Sequence, residues 1–164
     1  MLARLFANLF AGWFRLSRWF PQAAMRRIRD AIAEGERSHA GELCLAVESR
    51  YAPWAVLNGL QPRERAHQLF ALLRVWDTRD NSGVLLYLQL AERRVEIVAD
   101  RGIDARVAPE LWRGLCEDFS RDIASGDAEQ AVLRCLGRIN ALLAGHFPAA
   151  ADNPRELPDD PVVL

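Results

Sequence analysis

Residues 74–90 read RVWDTRDNSGVLLYLQL, and the character of the chain changes at Gly83. Ahead of it stand Asp77, Asp80 and Asn81, three small oxygen-bearing side chains. Behind it runs an apolar segment, 83–90, with the length and continuity of a strand buried on both faces. Asp, Asn and Gly form turns for backbone reasons. Asp and Asn oxygens are also ligands of hard cations. The stretch is thus the entry to a core strand, and either a turn or half of a cation site.

The flanks assign the fold class. GELCLAVES (41–49) is a second short apolar run after a glycine and reads as a strand. Pro62 opens a helix with Ala66, Leu69, Phe70 and Leu73 on its inner face. RRVEIVAD (93–100) alternates, with Val95, Ile97 and Ala99 on one face and Glu96 on the other. A tight turn near Ala91 and Glu92 makes 83–90 and 93–100 a hairpin. Before the first strand, Met25, Ile28 and Ile32 give helical spacing over 22–37. Residues 50–61 read as irregular or a short helical turn. Pro109 opens a helix with Leu111, Trp112, Leu115, Cys116, Phe119 and Ile123 inward, stopped by Ser125-Gly126. Asp127 caps the last helix, whose stripe is Val132, Cys135, Leu136, Ile139, Leu142 and Leu143. The first two strands are separated by more than 30 residues that include a helix, which favours a parallel crossover. The expected fold is α/β: one domain with a small mixed sheet and helices packed on it. Pro148, Pro154, Pro158 and Pro161 make 148–164 extended. Its closing PVVL is either loosely ordered or an added strand, on a partner's sheet or its own.

Composition narrows the function classes. The 164 residues are 51% hydrophobic and 26% charged, an ordinary globular balance. Every basic side chain is arginine, and the net charge of −1 gives no ground for nucleic-acid binding. Cys44, Cys116 and Cys135 are scattered, odd in number and without a CxxC pair. They read as buried thiols in a reducing compartment, not as a zinc site. The expected location is cytoplasmic, with peripheral attachment to a membrane as an added option.

The topology gathers acidic residues. The starts of the first two strands and the finish of the third share one rim of the sheet. That rim carries Glu42, then Asp77, Asp80 and Asn81, then Asp100 and Asp104, with Arg79 and Arg101 among them. Carboxylates with a carboxamide are the ligand set of Ca²⁺ or Mg²⁺, and six oxygens on loops suit Ca²⁺ better. The alternative is that these residues are turn and cap formers. A phosphatase would need metal, with Asp77 or Asp80 holding it and Arg79 or Arg101 on the phosphate. The chain has no P-loop and no cluster of metal-ligating His. His39, His67 and His146 read as structural, and Ser38 beside His39 lacks a third partner. The favoured function is a non-enzymatic cation-binding or interaction module, with a metal-dependent phosphatase as the alternative.

The pieces GEL (41–43), Asp80-Asn81-x-Gly83-Val84-Leu85, RVEIVADRGI (94–103), the W…F helix at 112–119 and the closing HFP…NPRELPDDPVVL resemble the TPM domain family. The likeness covers roughly residues 22 to 164. It implies a sheet sandwiched by helices, an α/β/α domain over 22–147, and an acidic crevice that takes divalent cations. On this chain the crevice maps to Asp77, Asp80, Asn81, Asp100 and Asp104. Where the family has a glycine-rich GxG after the third strand, this chain has Asp100-Arg101-Gly102. The family name also implies phosphatase activity. Many relatives have a membrane helix after the domain; none is read in residues 148–164, so their anchored layout is not expected to transfer.

Residues 1–20, MLARLFANLFAGWFRLSRWF, stand apart. On a helical wheel, Arg4, Asn8, Ala11, Arg15 and Arg18 fall on one side. Leu2, Leu5, Phe6, Leu9, Phe10, Trp13, Phe14, Leu16 and Phe20 fall on the other. The arginine-free run from Leu5 to Phe14 falls short of the about 20 residues that span a bilayer. Arg15 and Arg18 also sit badly for a cleaved signal. The two expectations are an interfacial membrane helix and a helix docked on protein, either this domain or a partner, ended by Pro21.

Overall fold

The computed structural model describes residues 1–124, 126–149 and 155–164. In chain order its elements are α1 (Leu2–Phe10), α2 (Gly12–Trp19), α3 (Gln22–Gly35), a 3₁₀ turn (Glu36–Ser38) and β1 (Glu42–Glu48). Then come α4 (Pro53–Leu57), α5 (Pro62–Leu72), β2 (Gly83–Gln89), β3 (Arg94–Ala99) and α6 (Arg101–Asp104). The chain closes with α7 (Pro109–Ala124), α8 (Ala128–His146) and β4 (Val162–Val163).

The strand order is β3-β2-β1-β4. β1 and β2 are parallel, with Glu42 beside Gly83, and β2 and β3 are antiparallel, with Val84 beside Ala99. Side chains alternate across the sheet, so it has two apolar faces. Leu43, Leu45, Val47, Val84, Leu86, Leu88, Val95 and Ile97 pack under α3, α7 and α8. Cys44, Ala46, Leu85, Tyr87 and Val98 pack under Tyr51, Val75, α4 and α5. The result is the expected α/β/α sandwich in one domain.

The helix stripes lie inward much as their spacing requires. Ile28 and Ile32 of α3, Ala66 and Leu69 of α5, and Val132, Cys135, Leu136, Ile139 and Leu143 of α8 are buried. Leu111, expected inward, is about half exposed because it lies in the first turn of α7, at the margin of the layer. Residues 50–61 hold a real helix, α4, opened by Pro53. Residues 1–20 form two helices, not one, with the break at Ala11. Ser125, expected to stop α7, and Pro154, one of the prolines of the tail, lie outside the described residues.

The closing PVVL adds a strand to the chain's own sheet. β4 runs parallel to β1, Val162 beside Ala46, and Leu164 N–H donates to Val47 O at 2.9 Å. The same segment is tied down by carboxyl groups. Leu157 N–H donates to Glu42 Oε2 at 3.0 Å, and Arg79 N–H donates to Glu156 Oε2 at 2.6 Å. Glu36 is buried in the 3₁₀ turn, accepts Leu43 N–H at 2.8 Å, and feels the charges of Glu42 and Asp159. A buried carboxyl among other carboxyls holds its proton more tightly than one in water. Burial pushes Glu36 from 4.5 up to about 8; the Leu43 N–H opposes this, and the charges of Glu42 and Asp159 reinforce it.

Folding therefore binds a proton that the unfolded chain releases near pH 4.5, and stability from this group falls as pH rises from there through about 8. The Tm of the wild type is expected to decline between those pH values more steeply than that of Glu36→Gln, which carries its own donor. Parallel Tm–pH curves for the two proteins would show that Glu36 keeps no proton.

Candidate functional site

The two ends of the sheet differ in what they offer. At the end where β1 and β2 begin and β3 finishes, the rim expected from sequence is present, but its members are spread and individually engaged. Asp77 pairs with Arg74 at 2.5 Å, within one turn. Asp80 is exposed beside Arg79, 3.8 Å away. Asn81 has a φ of +52° and accepts Arg101 Nε–H at 2.9 Å. Asp104 lies at the end of α6, pushed up by burial and drawn back by Arg63. Glu42 is buried under residues 155–164, with an oxygen on Leu157 N–H; burial pushes it up. Asp100 caps α6 by accepting Arg101 N–H at 2.7 Å on Oδ1. Its Oδ2 is buried with no hydrogen-bond partner among the described residues. Gly102 lies so close that a Cβ there would sit 2.5 Å from Asp80 O and 2.6 Å from Asn81 O. The loop 78–82 and the start of α6 thus pack backbone against backbone, with Gly102 N–H on Asn81 O at 3.1 Å. Among the described residues, no three His, Cys, Asp or Glu side chains form a group able to hold a metal ion.

His39 is fully buried, bonded to Gly41 O and Asn140, and burial lowers its pKa, so it is structural. Cys44 and Arg50 stand six apart, the spacing of cysteine phosphatases. Here Cys44 lies inside β1, where burial pushes its thiol up to about 11, so no thiolate nucleophile forms there.

The opposite end, where β1 and β2 finish, holds α1 and α2. Asn8 is only 2% exposed. Its Oδ1 accepts Tyr51 N–H at 2.7 Å and Gln89 Nε2–H at 3.0 Å, and its Nδ2 donates to Arg4 O and Glu92 Oε1, both at 2.9 Å. Arg4 pairs with Glu92 at 2.9 Å and donates to Leu60 O at 2.6 Å. Arg15 donates to Leu90 O and Ala91 O, both at 2.8 Å, and its guanidinium lies 5.7 Å from the Trp19 ring. Gly12 packs so tightly that a Cβ would fall 2.0 Å from Ser49 O. Leu5, Leu16 and Trp19 also turn inward.

The face with Arg4, Asn8 and Arg15, which on a wheel looks like the solvent face, is therefore the docked face. The apolar face is left outside: Leu2 is 80% exposed, Phe6 67%, Phe10 66%, Trp13 72% and Phe14 63%. One signal in the sequence marked this. Ala11 and Gly12 share the polar side with Asn8, and small residues on one helix face permit close approach of another backbone. Among the described residues, no helix is long and apolar enough to cross a membrane.

A mixed sheet between two helical layers, with a strand returning along its edge, defines an α/β/α domain class. The chain belongs to the TPM domain family, whose model matches residues 18–142. Its fold is similar to that of the BA42 protein of the psychrophilic bacterium Bizionia argentinensis, at 23% identity, TM-score 0.77, covering 87% of this chain and 93% of that one. It is also similar to the N-terminal domain of a protein from P. gingivalis, at 20% identity, TM-score 0.59, covering 80% of this chain and 83% of that one. No curated protein matches the chain in sequence.

Asn8→Ala leaves buried Tyr51 N–H and the Gln89 amide without their acceptor, at roughly 1–3 kcal/mol for each group left unsatisfied. Hydrogen exchange of this variant is expected to lose protection over residues 2–19 while β1 and β2 keep theirs. Unchanged protection over 2–19 would show that the carboxamide does not hold the helices.

Proposed function

We propose that this TPM domain is a peripheral membrane module, held in the interfacial region of a bilayer by α1 and α2. The observation that carries the reading is the orientation of these helices. Their polar side chains are consumed by the domain, and their large apolar side chains face away from it. Five such side chains within residues 2–14, with the Phe6 and Phe10 ring centroids 4.8 Å apart, exceed the scattered exposed apolar groups of an ordinary surface. Each contributes roughly 1.5–3 kcal/mol if removed fully from water. A helix that lies in the headgroup boundary has this composition, with Trp and Phe inward to the lipid and arginine at the margins. Charge agrees: residues 1–29 contain six Arg and no Asp or Glu. Among the described residues, Arg18, exposed on α2, has no ion pair. The sandwich behind the helices then acts as the cargo that the attachment brings to the surface.

The full chain is expected to co-sediment with vesicles of mixed phosphatidylglycerol and phosphatidylcholine. Phe6→Ser combined with Trp13→Ser is expected to abolish this with Tm unchanged, since both side chains already face solvent. Wild type that stays in the supernatant, or that forms a dimer whose assembly the same double variant prevents, would overturn the membrane reading.

One observation favours a second reading at the other rim. The buried Oδ2 of Asp100, partnerless among the described residues and on the rim that also carries Asp80 and Asn81, is an oxygen suited to a divalent cation, Ca²⁺ before Mg²⁺. Calorimetric titration with calcium is expected to give heat at millimolar or lower concentration and a raised Tm, both lost in Asp100→Asn. Neither heat nor shift with calcium or magnesium would reduce this rim to a turn and a cap.

A further inference from the structure

Beside α1 runs a groove of about 510 Å³ whose walls come from α1, the start of α5 and the β2–β3 turn with the strand that follows. Ala3 and Ala7 form the α1 wall, and their small side chains leave the space open. Arg4, Gln61, Arg63 and Arg94 project polar groups into it. The groove also holds two carboxylates, and both are already neutralised. Glu92 takes Arg4 and Asn8. Glu96 lies 3.7 Å from Arg63, which also donates to Ile97 O. Arg94 is exposed and, among the described residues, has no carboxylate within ion-pair distance. One arginine is therefore surplus in a groove of five charged groups, and two more arginines are fixed beside it by bonds to the framework.

The place of this groove matters as much as its charge. Its α1 wall is the flank of the helix whose other flank carries Leu2, Phe6 and Phe10. Arg93, next in chain to Arg94, has a φ of +54° and stacks 6.0 Å from the Trp19 ring, at the far end of the same helical pair. We propose that the groove between α1 and β3 is a headgroup site for an anionic phospholipid, with Arg94 taking the phosphodiester while the acyl chains lie along the apolar face of α1. This rests on the membrane reading and adds to it a lipid class and a place of binding. Arginine suits the task because its planar guanidinium makes paired hydrogen bonds to phosphate oxygens. Arg4 and Arg63 cancel the charges of Glu92 and Glu96, so the net positive charge of the groove is that of Arg94.

The test compares vesicle affinity of the full chain for phosphatidylcholine alone and for phosphatidylcholine with phosphatidylglycerol, in wild type, Arg94→Gln and Arg37→Gln. Arg37 is an exposed arginine in the 3₁₀ turn, at the opposite end of the sheet, paired with Glu34. It controls for loss of charge as such. Wild type is expected to prefer the anionic vesicles. Arg94→Gln is expected to lose about fivefold of that affinity, the scale of one arginine at an anionic surface, and Arg37→Gln to lose none. Binding of wild type to neither vesicle defeats the membrane reading itself. Equal binding to both vesicles, or equal losses in the two variants, leaves the membrane reading standing and overturns the headgroup site. Inorganic phosphate serves as the last probe. If it alone shifts the Arg94 resonances and displaces nothing from vesicles, the groove is a free-phosphate site and the lipid assignment falls.

Discussion

A carboxamide can make four hydrogen bonds, and Asn8 makes four inside the protein. Three of its partners are groups at the finish of the sheet, and the fourth is Arg4 O, one turn back in α1. Tyr51 N–H lies just beyond β1, Gln89 ends β2, and Glu92 sits in the hairpin turn. Arg4 and Arg15 perform the same service for the carbonyls of Leu60, Leu90 and Ala91. Strand ends that run under a helix must have their backbone groups satisfied. An apolar helix face cannot do this; a face of Arg, Asn and Gly can. The orientation of α1 and α2 follows from that requirement, and with it the surface that the domain presents.

Much of the sandwich was legible because its signals are local. Gly83 to Leu90 is apolar at every position but one, and it forms one of the two inner strands, with Leu85 on one core and Leu86 on the other. Pro62 and Pro109 stand at helix starts, and the i, i+3, i+4 stripes of α3, α5 and α8 point where their spacing says. Even the short PVVL found the edge of β1, one of two partners its pattern allowed. The site was less legible. On a helical wheel an arginine on the polar side looks the same whether it faces water or a carbonyl oxygen. Whether Arg15 meets solvent or Leu90 O depends on where a turn 75 residues away comes to rest.

The acidic rim teaches the complementary lesson. Topology alone brought Glu42, Asp80, Asn81 and Asp100 to the same end of the sheet, and they are there. What topology does not carry is the direction of each side chain or its nearest cation. Arg74 lies three residues before Asp77, and Arg101 directly follows Asp100, so these ion pairs and caps form with almost no loop to close. The segment 155–164 arrives from far along the chain and takes up the Glu42 oxygen. Of the expected ligand set, Asp100 alone keeps a buried oxygen with no partner among the described residues.

The outward apolar face carries a free-energy cost in water that the docking of the polar face imposes. Turning the helices over would bury Phe6, Phe10 and Trp13, but it would strand Tyr51 N–H and the carbonyls of Leu60, Leu90 and Ala91, at roughly 1–3 kcal/mol for each. It would also set the bulk of Phe14 or Trp13 where Gly12 now meets Ser49 O, a contact that leaves no room for even a methyl group. Sterics and hydrogen bonding thus fix which side is inside, and the hydrophobic effect is left to be met by something other than this domain. On the proposed reading a bilayer meets it without competing for the hydrogen bonds that hold the helices, since Arg4, Asn8 and Arg15 already have their partners.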